Sequence, residues 1–136
     1  MQSEIDFNLE ERSTLERAVR TASRGKDWLT LYGLFGDWEA LVGAVEMGYP
    51  EDIYEYLNDL AARDVLEDVI LSVEAALAKK LAAALSPIDE RFIATTRPSQ
   101  ASLVEGAPRD RPWWHRVPIQ LKGALLNDMT LWGITR

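Results

Sequence analysis

The clearest alternation of apolar and polar positions runs from Pro50 to Leu85. Ile53, Tyr56, Leu57 and Leu60 recur at the i, i+3, i+4, i+7 spacing that lines one face of a helix. Pro50 suits a first helical position, and Glu51 and Asp52 put negative charge at the positive end of the helix dipole. Arg63-Asp64 interrupts the stripe, and Asp64 with Glu67 has the spacing of a capping box that opens a second segment. Leu66, Val69, Ile70, Val73, Leu77, Leu81 and Leu85 then keep the helical period. Ser86-Pro87 is expected to end it, because the residue before proline avoids the helical region.

The same reading extends outward. Residues 1–7 are expected to form a short tail, after which Asn8 and Glu11 form a capping box ahead of Leu15, Ala18, Val19 and Ala22. The runs Asp27-Trp28 to Gly33 and Asp37-Trp38 to Gly43 echo one another at a ten-residue offset, too short for a solenoid repeat. Each aspartate is expected to cap a short helix. The stretch 28–35 is read as helix, although its aromatic and β-favouring content also suits a strand. Ile88 to Thr96 predicts a further helix, and Leu121, Leu125, Met129 and Trp132 predict a last one. Between them, residues 97–118 hold Pro98, Pro108, Pro112 and Pro118. Fixed dihedrals and missing amide donors predict an irregular strap there. The expected architecture is all-α: one domain over residues 1–136, a compact bundle of five to seven helices crossed by that strap.

Composition narrows what such an object does. The chain has 136 residues, 47% hydrophobic and 27% charged, with a formal net charge of −7. That is globular, and its acidity argues against binding nucleic-acid phosphates or anionic membranes. With no cysteine and one histidine, thiolate sites, disulfides and multi-histidine metal centres are excluded. No cofactor is expected. The beginning of the sequence has no signal-like apolar core, so a cytoplasmic location is the default.

Three sets of residues are candidates for function. Glu51, Glu55 and Asp59, four residues apart, stack about 6 Å apart on a helix, as a strip that suits a basic partner. Trp113, Trp114, His115 and Arg116 form the densest group of recognition-competent side chains, with burial as the plainer role for the tryptophans. Asp64, Asp89 and Arg91 are polar groups at helix junctions that would pair with one another or serve a carboxylate-based site.

Glu55-Tyr56-Leu57-Asn58-Asp59-Leu60 with Arg63-Asp64, Asp89-Glu90-Arg91-Phe92 with Thr95 or Thr96, and Trp113-Trp114 with Arg116 and Pro118 form a recurring set. In these elements the last two-thirds of the chain resembles a group of small uncharacterised bacterial helical proteins. The resemblance implies a shared fold, with no activity and no functional residue attached to it.

The functional expectation is a non-enzymatic, acidic protein-binding module, of the immunity or antitoxin type, that neutralises a basic partner. One alternative is a small-ligand sensor or hydrolase built on Asp59, Asp64, Asp89 and Arg116. Another is a homo-oligomeric unit, such as a homodimer, that buries its tryptophans against a twin.

Overall fold

A computed structural model describes residues 7–24, 29–98 and 113–131. It is mostly helical, with five helices among the described residues: α1 (Leu9–Ala22), α2 (Leu31–Met47), α3 (Ile53–Ser72), α4 (Ala75–Ala94) and α5 (Gly123–Leu131). Two short strands, β1 (Thr96–Pro98) and β2 (Arg116–Pro118), pair antiparallel with Thr96 opposite Pro118 and Pro98 opposite Arg116. None of the described helices is long and apolar enough to cross a membrane.

Local signals account for some helix starts. The Asn8 side chain accepts from the Glu11 amide at 2.7 Å and Glu11 accepts from the Asn8 amide at 2.9 Å, completing the expected box. Pro50 does not take the first helical position: Asp52 caps α3 by accepting from the Glu55 amide, so Pro50 and Glu51 stand outside the helix. Thr30 caps α2 through the Gly33 amide. Instead of two short helices, residues 31–47 form one, with Asp37 in its interior; Asp27 and Trp28 lie outside the described residues.

The starts of α2 and α3 are also capped from far away. The Glu16 carboxylate of α1 accepts from the Leu31 amide at 3.1 and 3.2 Å, and Asp128 of α5 accepts from the Ile53 amide at 3.1 Å. Both satisfy donors that a helix leaves orphaned in its first turn. Each therefore ties two helices together at a terminus.

Three expected boundaries are corrected. α3 runs unbroken through Arg63-Asp64, so Asp64 caps nothing, and the break falls at Val73-Glu74. α4 continues through Pro87 to Ala94. An interior proline costs about 3 kcal/mol, and burial of Leu81, Leu85, Ile88 and Phe92 on both sides of it holds the helix together. Phe7 belongs to the core at 4% exposure, and so is no tail residue.

The core joins faces of all five helices around Leu15, Leu31, Trp38, Ile53, Leu81 and Leu125. At the end of α2, Gly48 adopts φ +95°, where a side chain is strained, and a Cβ there would also press on the Lys122 stem at 3.0 Å. This turn brings Tyr49 back beneath α3. Of the expected strap, the two ends are described and form the β1–β2 ribbon; residues 99–112 lie outside the described residues, as does Trp132.

Candidate functional site

One of the acidic candidates, Asp59, is bonded to a buried phenol. Tyr49 is buried in the α2–α3 connection with its ring edge-on to Tyr56 at 5.2 Å, and its hydroxyl donates to Asp59 Oδ2 at 2.5 Å. Desolvation pushes the phenol pKa up; the Asp59 hydrogen bond and the negative fields of Asp59, Glu55 and Glu51 push it further. Glu51, before α3, and Glu55 and Asp59, within it, act on the same hydroxyl. Glu51 and Glu55 are exposed and Asp59 is half-buried.

Beside this acidic face lies a groove of about 510 Å³ between α2 and α3. Leu34, Leu41, Ala44 and Val65 form its floor, while Asp37, Asn58 and Asp59 stand at its mouth. Among the described residues no lysine or arginine lines it.

A second assembly centres on Arg63, which is 3% exposed in the core stripe of α3. Its Nε and Nη2 donate to the two Asp89 oxygens at 3.1 and 2.9 Å, and Nη1 donates to Glu67 at 2.9 Å. The Trp38 indole also donates to Asp89 Oδ1, at 2.8 Å. Above the guanidinium lie the rings of Trp113 and Trp114, 5.4 and 5.0 Å from its carbon. Trp38, Phe92, Trp113 and Trp114 form a chain of ring contacts, with centroids 4.9, 6.4 and 5.5 Å apart. A buried cation with two carboxylates and two indoles is the usual way for such a charge to be tolerated. Asp89 thereby accepts three hydrogen bonds.

The remaining candidates are divided among other contacts. Trp114 donates to Asp64 at 2.8 Å, and His115 Nε2 lies 3.9 Å from the same carboxylate. Arg116 joins the ribbon strands, donating from Nε to Thr96 Oγ1 at 2.7 Å and from Nη2 to the Thr96 carbonyl at 2.9 Å, while its own carbonyl accepts from Tyr56. Arg91 faces away, paired to Glu46 at 2.7 Å and Glu39 at 3.5 Å. Asp59 lines the large groove and Asp64 a smaller cleft of about 280 Å³ with Glu67, Asp68, Trp114 and His115. Asp89 and Arg116 line neither. Neither of these two cavities brings together the four groups named for a carboxylate-based site. Among the described residues no three His, Asp or Glu side chains are grouped to hold a metal ion.

Asp64 supplies a pH test of this region. Burial raises its carboxyl pKa; the Trp114 hydrogen bond and the His115 field oppose this, Asp68 adds to it and Arg63 opposes it. A carboxyl whose folded pKa exceeds its unfolded value binds protons more readily when folded, so stability falls as pH rises through that interval. Asp64→Asn is therefore expected to stabilise the fold at about pH 7 and to change it little near pH 3, where both forms are neutral. Urea unfolding at the two pH values checks this. A loss at neutral pH would mean that the attraction of the Asp64 charge to the Trp114 N–H, His115 and Arg63 outweighs desolvation.

Sequence reasoning missed Arg63 as a core residue, and with it the groove between α2 and α3. Its one available signal was the spacing, since Ile53, Tyr56, Leu60, Arg63, Leu66 and Val69 occupy one helical stripe. Compared with protein-family models, curated proteins and solved structures, the chain matches none, and its function has to be argued from this geometry.

Proposed function

We propose that this protein is a non-enzymatic binding module that captures a basic protein partner on its acidic face, as an immunity or antitoxin-type neutraliser would. The observation that carries this reading is the acidic run Glu51, Glu55 and Asp59 along the start of α3, with Glu51 and Glu55 exposed and Asp59 lining the groove while it accepts from the Tyr49 hydroxyl. Their summed field would steer a cationic surface during encounter, and the adjoining apolar groove would hold it afterwards. The buried Arg63 assembly serves the fold: it fastens the segment bearing β2 to α3 and α4 and leaves this face free. Self-association has less support, since Trp38 and Trp114 are buried within the chain and Trp113 alone of the described tryptophans is exposed.

The test is a low-salt pull-down from the native host, followed by association kinetics with the basic protein recovered. Glu51→Lys/Glu55→Lys is expected to slow association about tenfold, with a smaller change in dissociation. Stability should fall by no more than about 1 kcal/mol, mainly because Glu55→Lys puts a cation in the first turn of α3. Recovery of no basic protein, or kinetics indifferent to the charge reversal, would sink the proposal.

A further inference from the structure

We infer that the basic partner seats an amphipathic helix in the α2–α3 groove, apolar face down, with its lysines or arginines against the acidic mouth. This rests on the basic-partner reading and adds the form of the ligand.

The first argument is backbone chemistry. Both walls of the groove are helices, whose N–H and C=O groups are already bonded within themselves. An extended segment docking there would find no main-chain partners for its own polar groups. A helix satisfies its backbone internally and needs only side-chain contact, the helix-in-groove mode of recognition.

The second argument is shape. The groove follows α2 from Leu34 to Ala44, about 15 Å, and α3 from Asn58 to Val65, about 10 Å. That length matches two to three turns of a third helix. Ala40 and Ala61 on the walls, with Ala44 and Ala62 below them, leave unfilled the space that larger side chains would occupy between packed helices. Leucine or isoleucine at i, i+4 and i+7 of an incoming helix would enter that space as knobs.

The third argument is charge. Asp37 stands at the α2 rim and Asp59 at the α3 rim, and Glu55 lies one turn before Asp59. With no cation among the described lining residues, basic residues flanking the apolar anchors meet carboxylates on both sides.

The experiment uses two labelled peptides of about 16 residues, enough for four turns, with identical leucine, alanine and lysine content. One places its leucines on a single helical face; the other scrambles them. Binding is measured by fluorescence anisotropy to the wild-type protein, Ala40→Trp, Ala61→Trp and Glu51→Lys/Glu55→Lys. Positions 40 and 61 are exposed, so the tryptophans fill the groove without disturbing the core, and thermal melts confirm that the variants remain folded. The amphipathic peptide is expected to bind about tenfold more tightly than the scrambled one. In the wild-type protein the amphipathic peptide should shift the NMR amide signals of Leu41, Ala44, Ala62 and Val65, and Ala61→Trp should remove its advantage and leave the scrambled peptide unaffected. Equal binding of both peptides, with weakening by the charge reversal alone, overturns the helix inference and leaves the basic-partner reading standing. Absence of peptide binding overturns the inference too, and the pull-down then decides the broader reading separately.

Discussion

Replacing Arg63 with methionine is expected to destabilise the fold by about 3–5 kcal/mol, the range for removing one partner of a buried ion pair. Methionine fills similar space, so the loss is mainly electrostatic. Asp89, with a 15% exposed side chain, would keep Trp38 as its donor and lose both guanidinium bonds. Glu67 is 30% exposed and can turn to water, which places most of the cost on Asp89. The indoles of Trp113 and Trp114 would also lose the cation they cover. At this chain length the change corresponds to a melting temperature lower by roughly 10–20 °C. Adding Asp89→Asn removes the stranded charge and keeps an acceptor for Trp38, so the double variant should recover half or more of the loss. Thermal and urea unfolding of the four members of this cycle give the coupling directly. If Arg63→Met melts within a few degrees of the wild type, the guanidinium is not the buried centre described here.

The helical character of the chain was legible because it is written locally. The Asn8–Glu11 box needs only residues three apart, and the stripe beginning at Ile53 needs only a period. Boundaries were legible only where the punctuation agreed with the packing. Pro87 reads as a stop, yet Leu85, Ile88 and Phe92 are buried on either side of it and the helix continues. Val73-Glu74 carries no breaking residue, and the break occurs there. Intrinsic preferences of single residues are weaker than burial of several large side chains.

Interactions between distant residues had no sequence signature. Glu16 reaches the Leu31 amide across 15 positions and Asp128 reaches the Ile53 amide across 75. Trp114 and Asp64 are 50 apart, and Arg63 and Asp89 are 26 apart. Trp113 and Trp114 lie far from Asp64 and Asp89 along the sequence, and the fold gathers all four around Arg63. Taking Arg63-Asp64 as a junction concealed this, because an arginine at a helix end needs no explanation, whereas one in a core stripe demands buried acids. The groove was illegible for a related reason. Ala40, Ala44, Ala61 and Ala62 read as helix-favouring filler until two helices place them opposite one another.

Trp38 to alanine should also cost about 3–5 kcal/mol, by a different route. The ring is fully buried, tilted against Phe92 at 4.9 Å, and its loss leaves a cavity at the meeting of α2 and α4. Its hydrogen bond to Asp89 contributes less, because Arg63 still donates to both oxygens of that carboxylate. Trp38→Phe separates the two effects. It retains most of the packing and removes the indole N–H, so about 1–2 kcal/mol is expected. Equal losses for the two variants would show that the hydrogen bond dominates. Trp38 does not line the α2–α3 groove, although its neighbours Asp37 and Leu41 do. Below their melting temperatures both variants should therefore bind the basic amphipathic peptide with wild-type affinity. A parallel fall in stability and affinity would tie the groove to the Arg63 assembly behind it, and the separation of a stabilising centre from a binding face would no longer hold.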